Sequence, residues 1–390
     1  MLLAKRVMQL KPSATLAINT LAQELKASGR EILSLSVGEP DFDTPRHIGD
    51  AAIKAIQTGF TKYTAVPGMP ELRAAASGYF NSQGAKSAPD NIIISNGGKQ
   101  CLYNLFQSLL NPGDEALIPA PYWVSYPPMV ELAGAVPVPV PAGVEKQFKI
   151  SPEDLERKRT AKTRLCIINS PSNPTGTVYT QKEIDRLAEW AVDSNVVIVS
   201  DEIYCALVYP PAQPAGFCSW WARHPENFVI VNGVSKSYAM TGWRVGYTLA
   251  HDALIKACNK LQGQSSSNIC SIAQKAALEA ITGSSDSVAA MRESFMRRRN
   301  LAMDIIATWP GVNCLCPDGA FYLFPDMHKL YNSSMPDSTA LCKVLLDKAG
   351  VALVPGIEFG DDNCVRISYA AADATLQKAL QKIGQCLLGR

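Results

Sequence analysis

The chain has 390 residues, 47% of them hydrophobic and 18% charged, with a mean hydropathy near zero and a formal net charge of +2. That length exceeds what one hydrophobic core usually organises, so a large domain with a smaller companion is predicted. The balanced charge, with lysines and arginines dispersed, gives no nucleic-acid or anionic-membrane footprint, and no apolar run approaches the length of a membrane span.

The eleven cysteines are scattered, odd in number and without a Cys-x-x-Cys pair. Cys314 and Cys316, with one residue between them, suit a strand rather than a metal clamp, and the four histidines lack ligand spacing, so no metal is expected. The pattern reads as reduced, buried thiols in a cytoplasmic protein. The opening Met-Leu-Leu-Ala-Lys-Arg lacks the apolar core of a secretory signal.

Pro12-Ser13 opens a helix that runs to Gly29. Strands are predicted at Ile92–Ser95, Glu115–Ile118, Val136–Val140, Arg164–Asn169, Val196–Ser200, Phe228–Asn232 and Arg244–Leu249. Several are apolar throughout, as strands covered on both faces by helices should be. The helix after Gly98 carries Cys101, Leu102, Leu105, Phe106 and Leu109 on one stripe, and Lys182–Ser194 does the same with Ile184, Leu187, Ala188 and Ala191. Tyr209–Pro214 reads as a surface loop, and Arg297-Arg298-Arg299 as a solvated helix face. A last helix places Leu376, Ala379, Leu380, Ile383 and Leu387 together. The alternation predicts an α/β fold. Residues 1–45 form an arm and part of a small domain, 46–295 the large domain, and 296–390 the rest of the small one.

Several segments carry chemistry. Asn96-Gly97-Gly98-Lys99 joins a strand to a helix N-terminus, a ready phosphate site. Gln100 stands where a Walker A loop would have Ser or Thr. Ser200-Asp201-Glu202-Ile203-Tyr204 follows a strand at the carboxyl end, where open α/β sheets bind ligands. On residue types alone Asp201 reads as a helix N-cap, Tyr204 as a wall residue and Trp123 as a core residue. By the same standard Lys236 and Arg244 are solvated cations of a hairpin, and Arg366 is half of a surface ion pair.

The segment Gly233-Val-Ser-Lys-Ser-Tyr-Ala-Met-Thr-Gly-Trp-Arg-Val-Gly246 closely resembles the lysine-attachment signature of class I aminotransferases. In the family's order stand Ser-Val-Gly38-Glu-Pro-Asp, Gly97-Gly98-Lys99, Ala-Pro-Tyr-Trp123, Asn173-Pro-Thr-Gly, Asp201-Glu-Ile-Tyr204 and Cys-Val-Arg366-Ile-Ser-Tyr. The resemblance covers the chain from about Lys5 to Leu387 and is nearest the bacterial-type aspartate aminotransferases with Gly-Gly-Lys at the phosphate loop. It implies the fold type I transferase architecture, with a mostly parallel seven-stranded sheet and a small α+β domain.

The same resemblance implies pyridoxal 5′-phosphate bound to Lys236 as a Schiff base, with Lys236 moving the substrate's α-proton in a ping-pong transamination. Asp201 would face the pyridine nitrogen, Tyr204 and Asn173 the phenolic oxygen, and Trp123 the ring. The amides of Gly98 and Lys99 and the guanidinium of Arg244 would hold the phosphate, with Tyr63 reaching it from the neighbouring subunit of a homodimer. Gly233 departs from members with a phosphate-binding serine there, and Ser235 is not assigned in its place. Arg366 and the Gly38 amide would take the α-carboxylate, with Asn173 and Trp123 beside it. Lys99 would take the distal carboxylate, a role for which Gln264–Asn268, polar and uncharged, offers no arginine. Aspartate with 2-oxoglutarate is the implied substrate pair, and aromatic or prephenate specificity is the alternative on the same motifs. A lyase on this scaffold fits Arg366 and Asn-Pro-Thr-Gly less well, and a regulatory protein would want a DNA-binding module for which no residues remain.

Overall fold

The computed structural model describes every residue except Gln9, Lys11, Ser13 and Arg390. The predicted cap at Ser13 therefore lies outside the described residues, and the helix is seen over Ala14–Ala27. A short strand β1 (Leu33–Ser34) follows. The main sheet is built from β2 (Ile92–Ser95), β3 (Glu115–Ala120), β4 (Val136–Pro141), β5 (Thr163–Asn169), β6 (Val197–Asp201), β7 (Phe228–Gly233) and β8 (Gly246–Leu249). Their order is β2-β8-β7-β6-β5-β3-β4, with β4, β3, β5, β6 and β7 parallel and β8 antiparallel to both its neighbours.

The sequence explains the order of burial. β7 (Phe-Val-Ile-Val-Asn-Gly) is buried at every position and lies inside the sheet between β8 and β6, where both faces are covered. β4 reads Val-Pro-Val-Pro-Val-Pro and sits at the edge, the one place where alternate missing N–H donors cost no ladder bonds. Between strands, Gln181–Ser194 opens on a reciprocal cap, with Glu183 N–H donating to Thr180 Oγ1 and Thr180 N–H to Glu183 Oε2. It buries Ile184, Leu187, Ala188 and Ala191, the predicted stripe.

The C-terminal part forms two small sheets. β9 (Tyr322–Leu323), β11 (Val354–Pro355) and β12 (Val365–Ser368) make an antiparallel sheet in the order β11-β12-β9, while β10 (Val351–Ala352) pairs in parallel with β1. The helix Asp373–Leu387 packs Leu376, Ala379, Leu380 and Ile383 against this unit.

Four sequence expectations change. Arg244 does not lead a strand: it is left-handed (φ 57°) after the turn Thr241–Trp243, and β8 starts at Gly246. Arg298 is buried rather than solvated, donating to both oxygens of Asp41 at 2.6 and 2.9 Å and to Asp373 at 2.7 Å. A helix face can look uniformly basic and still have one position turned inward. Cys314 and Cys316 lie on an irregular stretch, not a strand. In Tyr209–Pro214, Tyr209 is fully buried and donates its hydroxyl to the Ala320 carbonyl. All eleven cysteines are unpaired, with Cys270 and Cys316 exposed.

Candidate active site

Parallel strands end at one edge of a sheet, so residues just past β3, β5, β6 and β7 converge there. The convergence forms a cavity of about 270 Å³. Gly38, Gly98, Lys99, Trp123, Asn173, Asp201, Tyr204, Lys236, Arg244 and Arg366 all line it. Tyr63 does not: it is 93% exposed, outside that lining.

The Lys236 amine donates to the Gly38 carbonyl at 2.7 Å. Burial pushes its pKa down to about 8, assisted by Arg244 and Arg366 and opposed by Glu39 and Asp201. A lysine so placed is largely protonated at neutrality yet within reach of its neutral, nucleophilic form. Asp201 ends β6 and is buried, which raises its pKa to about 6. Its Oδ2 accepts from Tyr126 Oη at 2.7 Å and its Oδ1 from the Ile203 amide at 3.3 Å. Such a carboxylate gains when a cationic ring nitrogen meets it. The adjacent Glu202 is bound by Ser200 Oγ at 3.0 Å and the Phe217 amide at 3.4 Å, away from the cavity, in a structural role.

The anion cradle is built by the turn Asn96–Gly98 and the helix Gly98–Leu109, whose first amides have no partner within the helix. Gly97 has φ +81°, and a Cβ there would stand 2.5 Å from Arg244 Nη2, so glycine lets the guanidinium close on the turn. Arg244 is fixed by the Thr241 carbonyl at 2.9 Å. Gln100, which excluded a Walker A loop, closes the turn by accepting the Asn96 amide at 2.6 Å. A serine does not fit at Gly233, where a Cβ would meet the Val245 carbonyl oxygen at 2.9 Å and Ile203 at 3.0 Å.

Across the cavity Arg366 comes from β12, donating to Asn173 Oδ1 at 3.0 Å and the Ser36 carbonyl at 2.6 Å. It is fully buried with no carboxylate partner among the described residues, and its Nε has no hydrogen-bond partner among them. A guanidinium in that state is built for an incoming carboxylate. Lys99 stands 5.0 Å above the Trp123 ring, its pKa lowered by burial and then by Arg244. Two side chains escaped the sequence reading. Tyr126, three residues after Trp123, has no role implied by the motif that contains it, yet its hydroxyl reaches the Asp201 carboxylate. Tyr322 carries no motif at all. Among the described residues, no cluster of His, Cys, Asp and Glu is placed to hold a metal.

The residues fit pyridoxal 5′-phosphate: an anion cradle, a buried acid, an aromatic wall and a buried amine share one cavity. Sheet and pocket together define the type I pyridoxal-phosphate transferase fold. The family model described as aminotransferase class I and II matches residues 30–383, and the chain belongs to that family. It is 45% identical over 385 residues to an aspartate aminotransferase of Bacillus subtilis, covering 98% of each chain. To an aspartate/prephenate aminotransferase of Cereibacter sphaeroides it is likewise 45% identical, covering 98% of this chain and 97% of that one. The solved aspartate aminotransferase of Thermus thermophilus with maleate superposes with a TM-score of 0.94 at 41% identity, covering 99% of both chains. The protein is thus a pyridoxal-phosphate-dependent aminotransferase. No helix among the described residues is long and apolar enough to cross a membrane.

Proposed function

We propose that the enzyme transfers the amino group of aspartate to 2-oxoglutarate, giving oxaloacetate and glutamate. The observation that carries this reading is the pair of cations in one cavity, Arg366 and Lys99. A dicarboxylic amino acid has one carboxylate for each. Arg366, held by Asn173 and Ser36, offers its fork to the α-carboxylate with the Gly38 amide beside it, and Lys99 meets the distal one. The names of the similar enzymes and the maleate in the Thermus structure favour a dicarboxylate. One relative is named for prephenate as well, and prephenate also carries two carboxylates, so it is the second reading.

Bound pyridoxal 5′-phosphate supplies the electron sink for the substrate's α-carbon. Lys236 would anchor it and, once displaced by the substrate's amine, would be the base that accepts the proton from the substrate's α-carbon. Asp201 keeps the ring nitrogen protonated, and Tyr204 with Asn173 donates to the ring oxygen. Trp123 covers one ring face. Gly98, Lys99 and Arg244 hold the phosphate. Tyr63, too exposed to serve its own protomer, fits a role at the phosphate of a second copy, which makes the active form a homodimer. Residues 1–45 and 296–390 form the small domain against 46–295, as the pairing of β1 with β10 supports. Eleven unpaired thiols suit a reducing cytoplasm.

Donor profiling with 2-oxoglutarate as acceptor tests the substrate. Aspartate should lead aromatic donors in kcat/KM, and Lys99→Ala should raise KM for aspartate by roughly 10–100-fold, the cost of one charge-assisted contact. Equal loss for donors without a distal carboxylate would remove Lys99 from that role.

A further inference from the structure

Tyr322 is the largest side chain in the cavity without an assigned part. It is fully buried on β9, opposite Ser368 of β12. Its hydroxyl lies 2.9 Å from that of Tyr204, and the two rings meet edge to face at 5.8 Å. Its ring carries the Arg366 guanidinium at 4.7 Å. Gly38 is shaped around it, since a Cβ there would come 2.3 Å from the Tyr322 oxygen. One phenol thus touches Tyr204, Arg366 and the segment whose carbonyl holds Lys236.

A phenol has one proton to give. Burial raises the pKa of both tyrosines, so each keeps its proton. When Tyr204 donates to the ring oxygen of the cofactor, its own oxygen is left to accept, and Tyr322 is 2.9 Å away to donate. We infer that Tyr322 is a positioning residue that orients and polarises the Tyr204 hydroxyl, through a one-way chain from Tyr322 to Tyr204 to the cofactor's ring oxygen. A donor behind a donor strengthens it. The inference rests on the proposed role of Tyr204. The charged groups facing the pair are Arg366 of β12, Asp201 at the end of β6, and Lys236.

The ring oxygen needs its donor most when the lysine-linked nitrogen has lost its proton, because otherwise that proton bridges to the same oxygen. Weakening the donor therefore raises the pH at which the holoenzyme's visible chromophore loses its proton. Spectrophotometric titration of the loaded protein, without substrate, reads this directly. Tyr204→Phe should move the midpoint up by about 1–2 pH units, the worth of a hydrogen bond to a charged group. Tyr322→Phe, which keeps the ring beneath Arg366, should move it up by about 0.2–0.5 unit, the fraction that cooperativity contributes. In the Tyr204→Phe background Tyr322→Phe should add nothing. A midpoint unmoved in Tyr204→Phe would overturn the assigned role of Tyr204. A shift in Tyr204→Phe with none in Tyr322→Phe, or equal additive shifts in the double variant, would overturn the chain.

Discussion

The two walls of the cavity are made differently. The carboxyl edge of the main sheet supplies Trp123 after β3, Asp201 at the end of β6 and Lys236 after β7, all parallel strands, and the Gly98 turn after β2, whose one partner is antiparallel. Opposite them, Arg366 and Tyr322 come from the small antiparallel sheet, and Gly38 from the segment after β1. The first wall is set by strands buried on both faces. The second is held by side-chain contacts of long sequence separation: Arg366 to Asn173 and Ser36, and Arg298 to Asp41 and Asp373. On the proposed roles this is a division of labour: the sheet edge carries most cofactor contacts together with Lys99, while Arg366 and Tyr322 reach the cavity from a unit joined to it by polar links.

Substitutions on the two walls should therefore fail in different ways. Asp201→Asn should cost roughly 10²–10⁴-fold in kcat, because a buried charge partner worth about 3–5 kcal/mol is lost. The same change should stabilise the apoprotein. The folded-state pKa of Asp201 is raised from 3.8 to about 6 by burial, so the native state holds this proton more tightly than the unfolded chain. Stability then falls as pH rises between those values, and above them the native apoprotein bears a cost of up to about 3 kcal/mol. In urea unfolding, apo Asp201→Asn should be more stable than the parent at pH 7 by about 1–3 kcal/mol, with the gain gone below about pH 4.

On the other wall, Arg366→Lys keeps the charge and loses the fork. It should lower kcat/KM by roughly 10–100-fold, through KM, and leave the chromophore of the loaded enzyme unchanged. Steady-state kinetics and the absorption spectrum check both halves. A spectrum altered by Arg366→Lys, or an effect of Asp201→Asn confined to KM, would erase the distinction between the walls.

The sheet-edge wall was largely legible in the sequence. Its strands are short apolar runs, and its functional residues sit in contiguous motifs immediately after them, so position along the chain implies position in space. Their place at the sheet edge follows from the strands beside them, but the roles of Asp201, Tyr204 and Lys236 came from the family resemblance, since on residue types alone they read as a cap, a wall residue and a solvated cation. Arg366 was legible only through the family resemblance, because nothing local says which cavity a strand arginine faces. Tyr322 and Arg298 were not legible. The first depends on the register of β9 against β12, and the second on a helix meeting residues 257 positions before and 75 after it. Arg244 lines the cavity but was wrongly read as part of a strand, since a left-handed arginine leaves no mark in hydrophobic periodicity.

Everything proposed turns on Lys236, and a linkage between it and the cofactor would be directly visible. Protein reconstituted with pyridoxal 5′-phosphate should show a visible absorption band that survives gel filtration and is lost on borohydride treatment. Lys236→Ala should lack that band and turn over aspartate at least about 10²–10⁴-fold more slowly. A colourless reconstituted parent, or an identical protein-bound band in Lys236→Ala, would contradict the account.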